Sequence, residues 1–432
     1  MLARGASCRR NSFGLGMTPV VDVLAEPSGK VAPRWIAFFS VAVAGTFVGW
    51  YGPLQILLAR QAEAVSPHGK ENLLALVAGV GAAFSMVANP LWGALSDRTT
   101  SRFGKRIPWI AAGGVLGAAS LLLLGSASSV ALLVAGWCLV QVVLNAPFAA
   151  LSAAIPDQVP VAQRGTAGGY FGIAQIFGVM LGTGLAVAGV GLLGGTFGGY
   201  LVCAGFVLIA WVPYVVLRRD VVLAASERPA LKLAAMVRGF WLSPRRYPDF
   251  AWAWLTRFLM NLGNSIVLLY LLFFLKDEVR VEDPDASVLI LTVINALSLL
   301  VSVMVAGIWS DRVGKRRVFV FWAGLIMAAA AVLLAAWPTW TVAMVAAAVL
   351  GLGFGVYTSV DFALLTQVLP AAVDRGKDLG VLNIANALPQ VLAPVIAAPI
   401  VTSLGGYSTL YSVSAIVGLV GAVFVYQIRS VR

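Results

Sequence analysis

Two ionisable side chains lie inside long apolar runs of this 432-residue sequence. Asp361 sits in Gly353-Phe-Gly-Val-Tyr357-Thr358-Ser-Val-Asp361, and Arg257 in Trp252-Ala-Trp254-Leu-Thr-Arg257-Phe-Leu-Met-Asn261-Leu-Gly-Asn264. A charge at mid-bilayer costs about 2.5–3.5 kcal/mol on insertion scales, so each is a functional candidate. Three roles are open to them: coupling to a proton or another cation, contact with a solute, or a structural ion pair that persists because removing one partner strands the other charge. Other chemistry has no material. His68 is the single histidine, and Cys8, Cys138 and Cys203 have no paired or metal-ligand spacing. No embedded carboxylate dyad offers an acid and a base, and no G-x-x-x-x-G-K-[ST] loop offers a nucleotide site. The sequence therefore points away from an enzyme, and no cofactor or metal is expected.

The elements that must position these residues follow from composition. Hydrophobic residues make up 60% of the chain and charged ones 11%, against about 45–50% and 25% in soluble domains. This defines a polytopic membrane protein. With about 20 apolar residues needed to cross a bilayer, twelve spans are predicted. They run at 35–59, 72–95, 108–126, 129–153, 166–191 and 198–217, then 250–275, 287–309, 318–337, 340–366, 378–402 and 409–428. The division is a disordered tail (1–33), a six-helix half (34–217), a central loop (218–249) and a second six-helix half (250–432). Translation from Met1 or Met17 gives the same spans. The central loop, rich in Arg and Leu, suits short helices at an anionic membrane surface.

Of the 30 Lys and Arg, 25 fall in segments that share one side if the N-terminus is cytoplasmic. That asymmetry places both termini inside, and it explains the net charge of +12 without a nucleic-acid partner. The opposite loop between spans seven and eight carries Asp277, Glu278, Glu282, Asp283 and Asp285. Chain direction also sets depth. Arg257 lies eight residues after Asp249 and Asp361 eight residues before Leu369, so both sit about 12 Å from the same membrane face. The two are expected to pair at the inner end of a central cavity.

The halves repeat one motif. Gly93-Ala-Leu-Ser-Asp97-Arg98 closes span two and leads to Gly104, Lys105 and Arg106. Gly307-Ile-Trp-Ser-Asp311-Arg312 closes span eight and leads to Gly314, Lys315 and Arg316. Gln158-Val-Pro before Arg164-Gly165 is likewise echoed by Gln367-Val-Leu-Pro before Arg375-Gly376. Six-span repeats of this kind place a substrate site at their interface, with alternating access by rocking. An aspartate at a helix end beside arginines can accept charge-assisted hydrogen bonds, so these residues are expected to form a cytoplasmic gate that latches in one state and breaks in the other. Plain positive-inside anchoring is the simpler alternative.

The duplicated loop resembles the signature loop of the major facilitator superfamily. The longer form Ser96-Asp97-Arg98-Thr99-Thr100-Ser101-Arg102-Phe103-Gly104-Lys105-Arg106-Ile107-Pro108-Trp109 resembles the corresponding loop of sucrose–proton and glycoside–cation symporters. The resemblance implies an all-α major facilitator fold whose spans one, four, seven and ten line the cavity. It also implies a monomer that moves a sugar-like solute by symport with a proton or sodium ion, and the compact loops and Arg- and Ala-rich usage point to a bacterial chain in the cytoplasmic membrane. Those spans offer Trp50, Tyr51 and Gln55; Gln141, Asn145 and Phe148; Asn261, Asn264 and Tyr270; and Tyr357 and Thr358. Aromatic faces and amides of this kind suit a sugar, although interhelical hydrogen bonds would use the same residues. Asn383, Asn386 and Gln390 share a face of span eleven, where packing or a cavity edge is expected.

The chain departs from the symporter pattern at span four. Asn145-Ala-Pro-Phe148-Ala-Ala150 holds no charge, and Ala150 is the repeat partner of Asp361. Two alternatives stay open: proton-coupled efflux of a drug or secondary metabolite, and a membrane sensor on a transporter scaffold. Span five lacks the Gly-Pro step common in drug antiporters, and the central loop is too short for a signalling domain.

Overall fold

The computed structural model describes residues 29–217, 220–227, 245, 247–313, 315–368 and 375–429. Most of the expected tail and of the central loop therefore lies outside the described residues. Among the described residues, eleven helices are long and apolar enough to cross a membrane, and a pair bent by 42° forms a twelfth. Span one is Pro33–Val65, span two Lys70–Asp97, span three Ile107–Gly125, span four Val130–Gln158, span five Val161–Leu193 and span six Gly195–Val216. The bent span seven joins Pro248–Leu269 to Leu271–Val279. Spans eight to twelve are Pro284–Val313, Arg316–Ala336, Trp340–Val368, Arg375–Ser403 and Gly406–Phe424. Hydropathy placed each of them; the helices overrun the apolar windows because polar residues at the ends continue the backbone hydrogen bonding into the headgroup region.

The pairing of helices repeats. Span one packs on five and six, two on four, and three on four and six. In the same way seven packs on eleven and twelve, eight on ten, and nine on ten and twelve. The turns between the fifth and sixth helix of each half also match. Gly194 and Gly195 have φ of 74° and 71°, and Gly405 and Gly406 have φ of 109° and 72°. Only glycine reaches such backbone freely, so each half reverses direction on a Gly-Gly pair. The halves meet where span two packs on eleven and span five on eight.

Spans one and seven share a further departure from regular helix. Pro53–Leu57 and Phe274–Val279 are π-helical, each in the half of its span remote from the termini. Because odd spans leave the end that holds the chain termini and even spans return to it, the bundle has a terminal end and a far end. The fold brings Arg429 N–H to Asp249 Oδ1 at 3.0 Å at the terminal end.

Candidate functional site

Arg257 and Asp361 meet in an ion pair between spans seven and ten. Their side chains are only 13% and 12% exposed, and neutral neighbours complete the set. Tyr357, one helical turn from Asp361, donates its hydroxyl to Asp361 Oδ1 at 3.1 Å. Arg257 Nε donates to Asn386 Oδ1 at 2.8 Å, and Asn261 Nδ2 donates both to that oxygen (3.1 Å) and to the Arg257 carbonyl (2.8 Å). Asn386 thus ties span eleven to the pair, a contact that helix-face spacing alone did not reveal. The side chain of Asn383 lies outside the described residues. Asn261 and Tyr357 belong to this network and not to the wall of a cavity.

A cavity of about 230 Å³ lies between the halves, nearer the far end. Tyr51, Gln55 and Asn264 line it, joined by Gln175 on span five and by Thr292 and Asn295 on span eight. Gln55, Asn264 and Gln175 make no hydrogen bond among the described residues, and Asn295 makes one, from Nδ2 to the Ala347 carbonyl at 3.1 Å. The remaining wall is apolar, with Phe47, Leu268, Leu271 and Phe354 among its members. No charged side chain among the described residues lines it. Arg257 precedes Asn264 by seven residues and Asp361 follows Phe354 by seven, so the ion pair lies about 10 Å below the lining on both helices.

Other residues expected in the cavity lie elsewhere. Trp50 and Phe148 stack edge-on at 5.3 Å within an aromatic cluster that includes Phe47 and Tyr51. Asn145 is buried against span two. It accepts from Asn89 at 3.0 Å and donates to Ser85 at 2.7 Å, and to the Gln141 carbonyl one turn back. Gln141, buried beside it, does not line the cavity either. Thr358 is exposed and bonded to carbonyls of its own helix. Tyr270 is fully buried and donates to the Glu71 carbonyl at 2.9 Å. Asn145, Thr358 and Tyr270 each satisfy a neighbouring helix or their own, whereas the Trp50 Nε1 is buried without a partner. Gln175, Thr292 and Asn295 were not legible because spans five and eight carry no ionisable residue at mid-membrane that would mark a working face.

At the terminal end the loop between spans two and three is drawn into a tight cluster. Arg106, whose side chain is 3% exposed, binds Ser96 and Asp97 and reaches Asp157 at 2.8 Å; Lys105 reaches Asp157 at 3.0 Å. Burial pulls the Arg106 pKa down, but the charges of Asp157 and Asp97 more than offset this and leave it raised. Asp220, just beyond span six, accepts from the backbone N–H of Arg106 (2.6 Å), Ile107 (2.9 Å) and Val221 (2.8 Å). It caps the start of span three from a distant part of the chain, and Lys105 N–H bonds the Val221 carbonyl beside it at 3.0 Å. Burial raises the Asp220 pKa, and these backbone bonds offset only part of that. Gly104 makes the approach possible. Its φ is +101°, and a Cβ there would collide with the Asp220 carboxylate.

The other gate candidates are less engaged. Gly93 has open space beside it, and Arg98 Nη1 is buried without a partner. In the second half Gly314, the side chains of Asp311 and Arg312 and the surroundings of Gly307 lie outside the described residues. Lys315 is exposed, Arg316 half-buried, and Arg317 donates to the Ile428 carbonyl at 2.7 Å. Among the described residues, no ion pair crosses between the halves at this end.

At the far end such pairs do cross. Glu63 accepts from Lys276 at 2.6 Å, Lys70 reaches Asp277 at 2.8 Å and Glu63 at 3.5 Å, and Arg60 reaches Asp285 at 2.8 Å. Tyr407 adds its hydroxyl to Asp277 at 3.2 Å. The acidic loop of the sequence is thus one side of a clasp whose basic partners lie partly on spans one and two. The clasp closes the bundle above the cavity.

Twelve spans in two halves of matching helix packing, bridged at one end around a central cavity, define a membrane transporter. The family model of the Major Facilitator Superfamily matches residues 34–289 and 283–431, and the chain belongs to that superfamily. It is similar to sucrose transport protein SUC4 of Arabidopsis thaliana, 30% identical over 115 residues, which is 27% of this chain and 21% of the length of that protein. Among solved structures, a point mutant of the nucleoside transporter NupG gives a TM-score of 0.71 at 14% identity, covering 91% of this chain and all of that one. A bacterial homolog of the human lysosomal transporter Spinster, inward-facing and unoccupied, gives 0.67 at 14%, covering 92% and 96%. An auto-inhibited POT family peptide transporter gives 0.71 at 12%, covering 92% and 96%. At these identities the likeness shows the fold.

Proposed function

We propose that this transporter moves a small, uncharged, sugar-like solute across the cytoplasmic membrane by alternating access, in symport with a proton. One observation carries the reading: the cavity offers uncommitted amides and aromatic faces without a charge, while the Arg257–Asp361 pair stands about 10 Å deeper. Amides and aromatic rings suit hydroxyls and a sugar face, and a lining without ions gives no counter-charge to an ionic solute. The local likeness to a sucrose transport protein supports the same class. The distribution of Lys and Arg supports a cytoplasmic terminal end, a tail at 1–33, a linker at 218–249 and halves at 34–217 and 250–432. With the far end clasped, the conformation is then inward-facing.

In this reading Asp361 is the coupling group. A proton on Asp361 removes the charge that holds Arg257, and Arg257 keeps its bond to Asn386. That loosens span seven from span ten while both remain attached to their own half. Asp97 and its repeat partner Asp311 are the gate carboxylates at the cytoplasmic end, with Arg106 holding Asp97 within the first half in this conformation.

The test is external pH in a weakly buffered suspension of cells producing the protein, with sugars and glycosides added in turn. The parent is expected to give sugar-dependent alkalinisation that Asp361→Asn abolishes. Alkalinisation that survives the substitution removes Asp361 from coupling. No pH change with any sugar removes the proposed symport.

A further inference from the structure

Asp361 has few ionisable neighbours. Arg257 on span seven binds its Oδ2, and Tyr357 on its own span donates to its Oδ1. Span ten packs on spans seven, eight and nine, and span eleven packs on seven. No other acid, base or phenol lies on span seven between Asp249 and Tyr270, on span eight between Asp285 and Asp311, on span nine after Arg317 or on span eleven after Asp378. The charge count at this depth is therefore one cation and one anion.

Asn386 is the neutral third member. Its Oδ1 accepts from Arg257 Nε at 2.8 Å and from Asn261 Nδ2 at 3.1 Å, and Asn261 also donates to the Arg257 carbonyl at 2.8 Å. Two donors converge on one oxygen, and the Asn261 bond turns that oxygen, not the amide nitrogen, toward Arg257. A carboxylate has the same shape and would suit two donors as well. The amide instead leaves Asp361 as the sole counter-charge of Arg257.

The first half provides the comparison. Gln175 holds the corresponding place on span five: it follows Arg164 by eleven residues, as Asn386 follows Arg375, and each precedes its Gly-Gly turn by nineteen. Span four has Ala150 where span ten has Asp361. Without a charge pair beside it, Gln175 lines the cavity and takes no fixed partner among the described residues. Helix packing alone does not commit an amide at this position; in the second half the pair does.

We infer that Asn386 is a positioning residue that sets the pH at which the Arg257–Asp361 pair opens: it keeps Arg257 on span eleven once Asp361 takes a proton, and its neutrality leaves that proton uncompensated. This rests on the proposed coupling by Asp361 and deepens it. The charge count gives two substitutions opposite signs. In Asn386→Asp two carboxylates share one guanidinium, and like charges favour uptake of a proton by the pair. In Asn386→Leu the guanidinium has Asp361 alone, so a proton there strands a buried charge, and the carboxylate stays ionised to lower pH.

Infrared difference spectra of the purified full chain in lipid nanodiscs, recorded across pH, test this. The protonated-carboxyl band that Asp361→Asn removes reports Asp361 in the parent. Its midpoint is expected to rise by about one pH unit or more in Asn386→Asp, and to fall by about one unit in Asn386→Leu. The rise decides, because Asn386→Asp keeps the size of the side chain and a general loss of packing gives no shift of that sign. A midpoint unchanged in Asn386→Asp, or moved in the same direction by both substitutions, overturns the inference and leaves coupling by Asp361 standing. A parent without that band at any pH at which it stays folded overturns both.

Discussion

At the far end Glu63, Lys70, Lys276 and Asp277 join spans of different halves, whereas at the terminal end Asp97, Arg106, Asp157 and Asp220 join only spans of the first half and the linker that follows it. Exposure differs for the central cation of each cluster. Glu63 and Lys276 side chains are 32% and 45% exposed and Arg106 is 3% exposed, although Lys70 of the clasp is itself only 12% exposed and Asp97 of the other cluster 54%. Exposed pairs contribute about 0–1 kcal/mol each, but stranding one partner of a buried pair costs about 3–5 kcal/mol. A joint that must part in every transport cycle needs the first kind of contact. A joint that holds a half rigid can use the second. The buried Arg257–Asp361 pair, also within one half, holds as the rigid kind does for as long as Asp361 is ionised.

The comparison is broken most severely in the second half. Asp361→Ala leaves Arg257 buried without a counter-charge, and the purified protein is expected to lose about 3–5 kcal/mol of stability, read as a lower unfolding temperature in detergent. Asp361→Asn, which keeps the shape and an acceptor, should lose distinctly less. Arg106→Ala comes next. It frees Ser96, Asp97 and Asp157 at once, but Lys105 still neutralises Asp157 and Asp97 is half exposed, so about 3 kcal/mol is expected, the low end of the buried range.

Asp220→Ala should cost about 1–2 kcal/mol, as for a lost helix cap. Asp220 also gives the pH dependence its sign. Its folded pKa is raised by burial, so its contribution is fully present below its unfolded pKa and is lost as pH rises through the raised folded value. Relative to Asp220→Asn, the parent should therefore lose unfolding temperature as pH rises from the ordinary carboxylate range toward neutrality; a flat difference would remove the burial penalty from the account. The smallest stability effect is expected at the clasp. Glu63→Gln should shift unfolding by under about 1 kcal/mol, yet a bias of about 1.4 kcal/mol between two states is tenfold in population. Faster labelling of a cysteine placed at the far end, reversed by the exchange Glu63→Lys with Lys276→Glu, would sharpen the contrast between a parting joint and a rigid one.

Hydropathy and charge made the twelve spans, the internal repeat and the embedded Arg257 and Asp361 legible, because each is a property of one stretch of chain. What escaped was any property of two faces meeting. Lys70 and Glu63 read as ordinary residues of a short loop until Lys276 and Asp277 stand opposite. Asp220 looks like linker until Gly104 makes room for it. Asn145 and Tyr270 have the chemistry of solute ligands, but their neighbours on span two decide where they point. Gln175 and Thr292 gave the opposite error, since a lone amide or hydroxyl in an apolar span carries no signal about which helix it will face.

The π-helical turns at Pro53–Leu57 and Phe274–Val279 carry a consequence for insertion and deletion. Each stores about one residue beyond the α-helical complement of a turn. Removing one residue from Pro53–Leu57 would let the turn close to ordinary α-helix without breaking the span. The chain beyond it would keep nearly the same phase, because the turn carries the surplus residue as a bulge. The same deletion in an α-helical turn of the span would rotate the chain beyond by about 100° and shift it by about 1.5 Å, turning Glu63 off Lys276 and Arg60 off Asp285, so the clasp tolerates a lost residue at the π turn and not beside it.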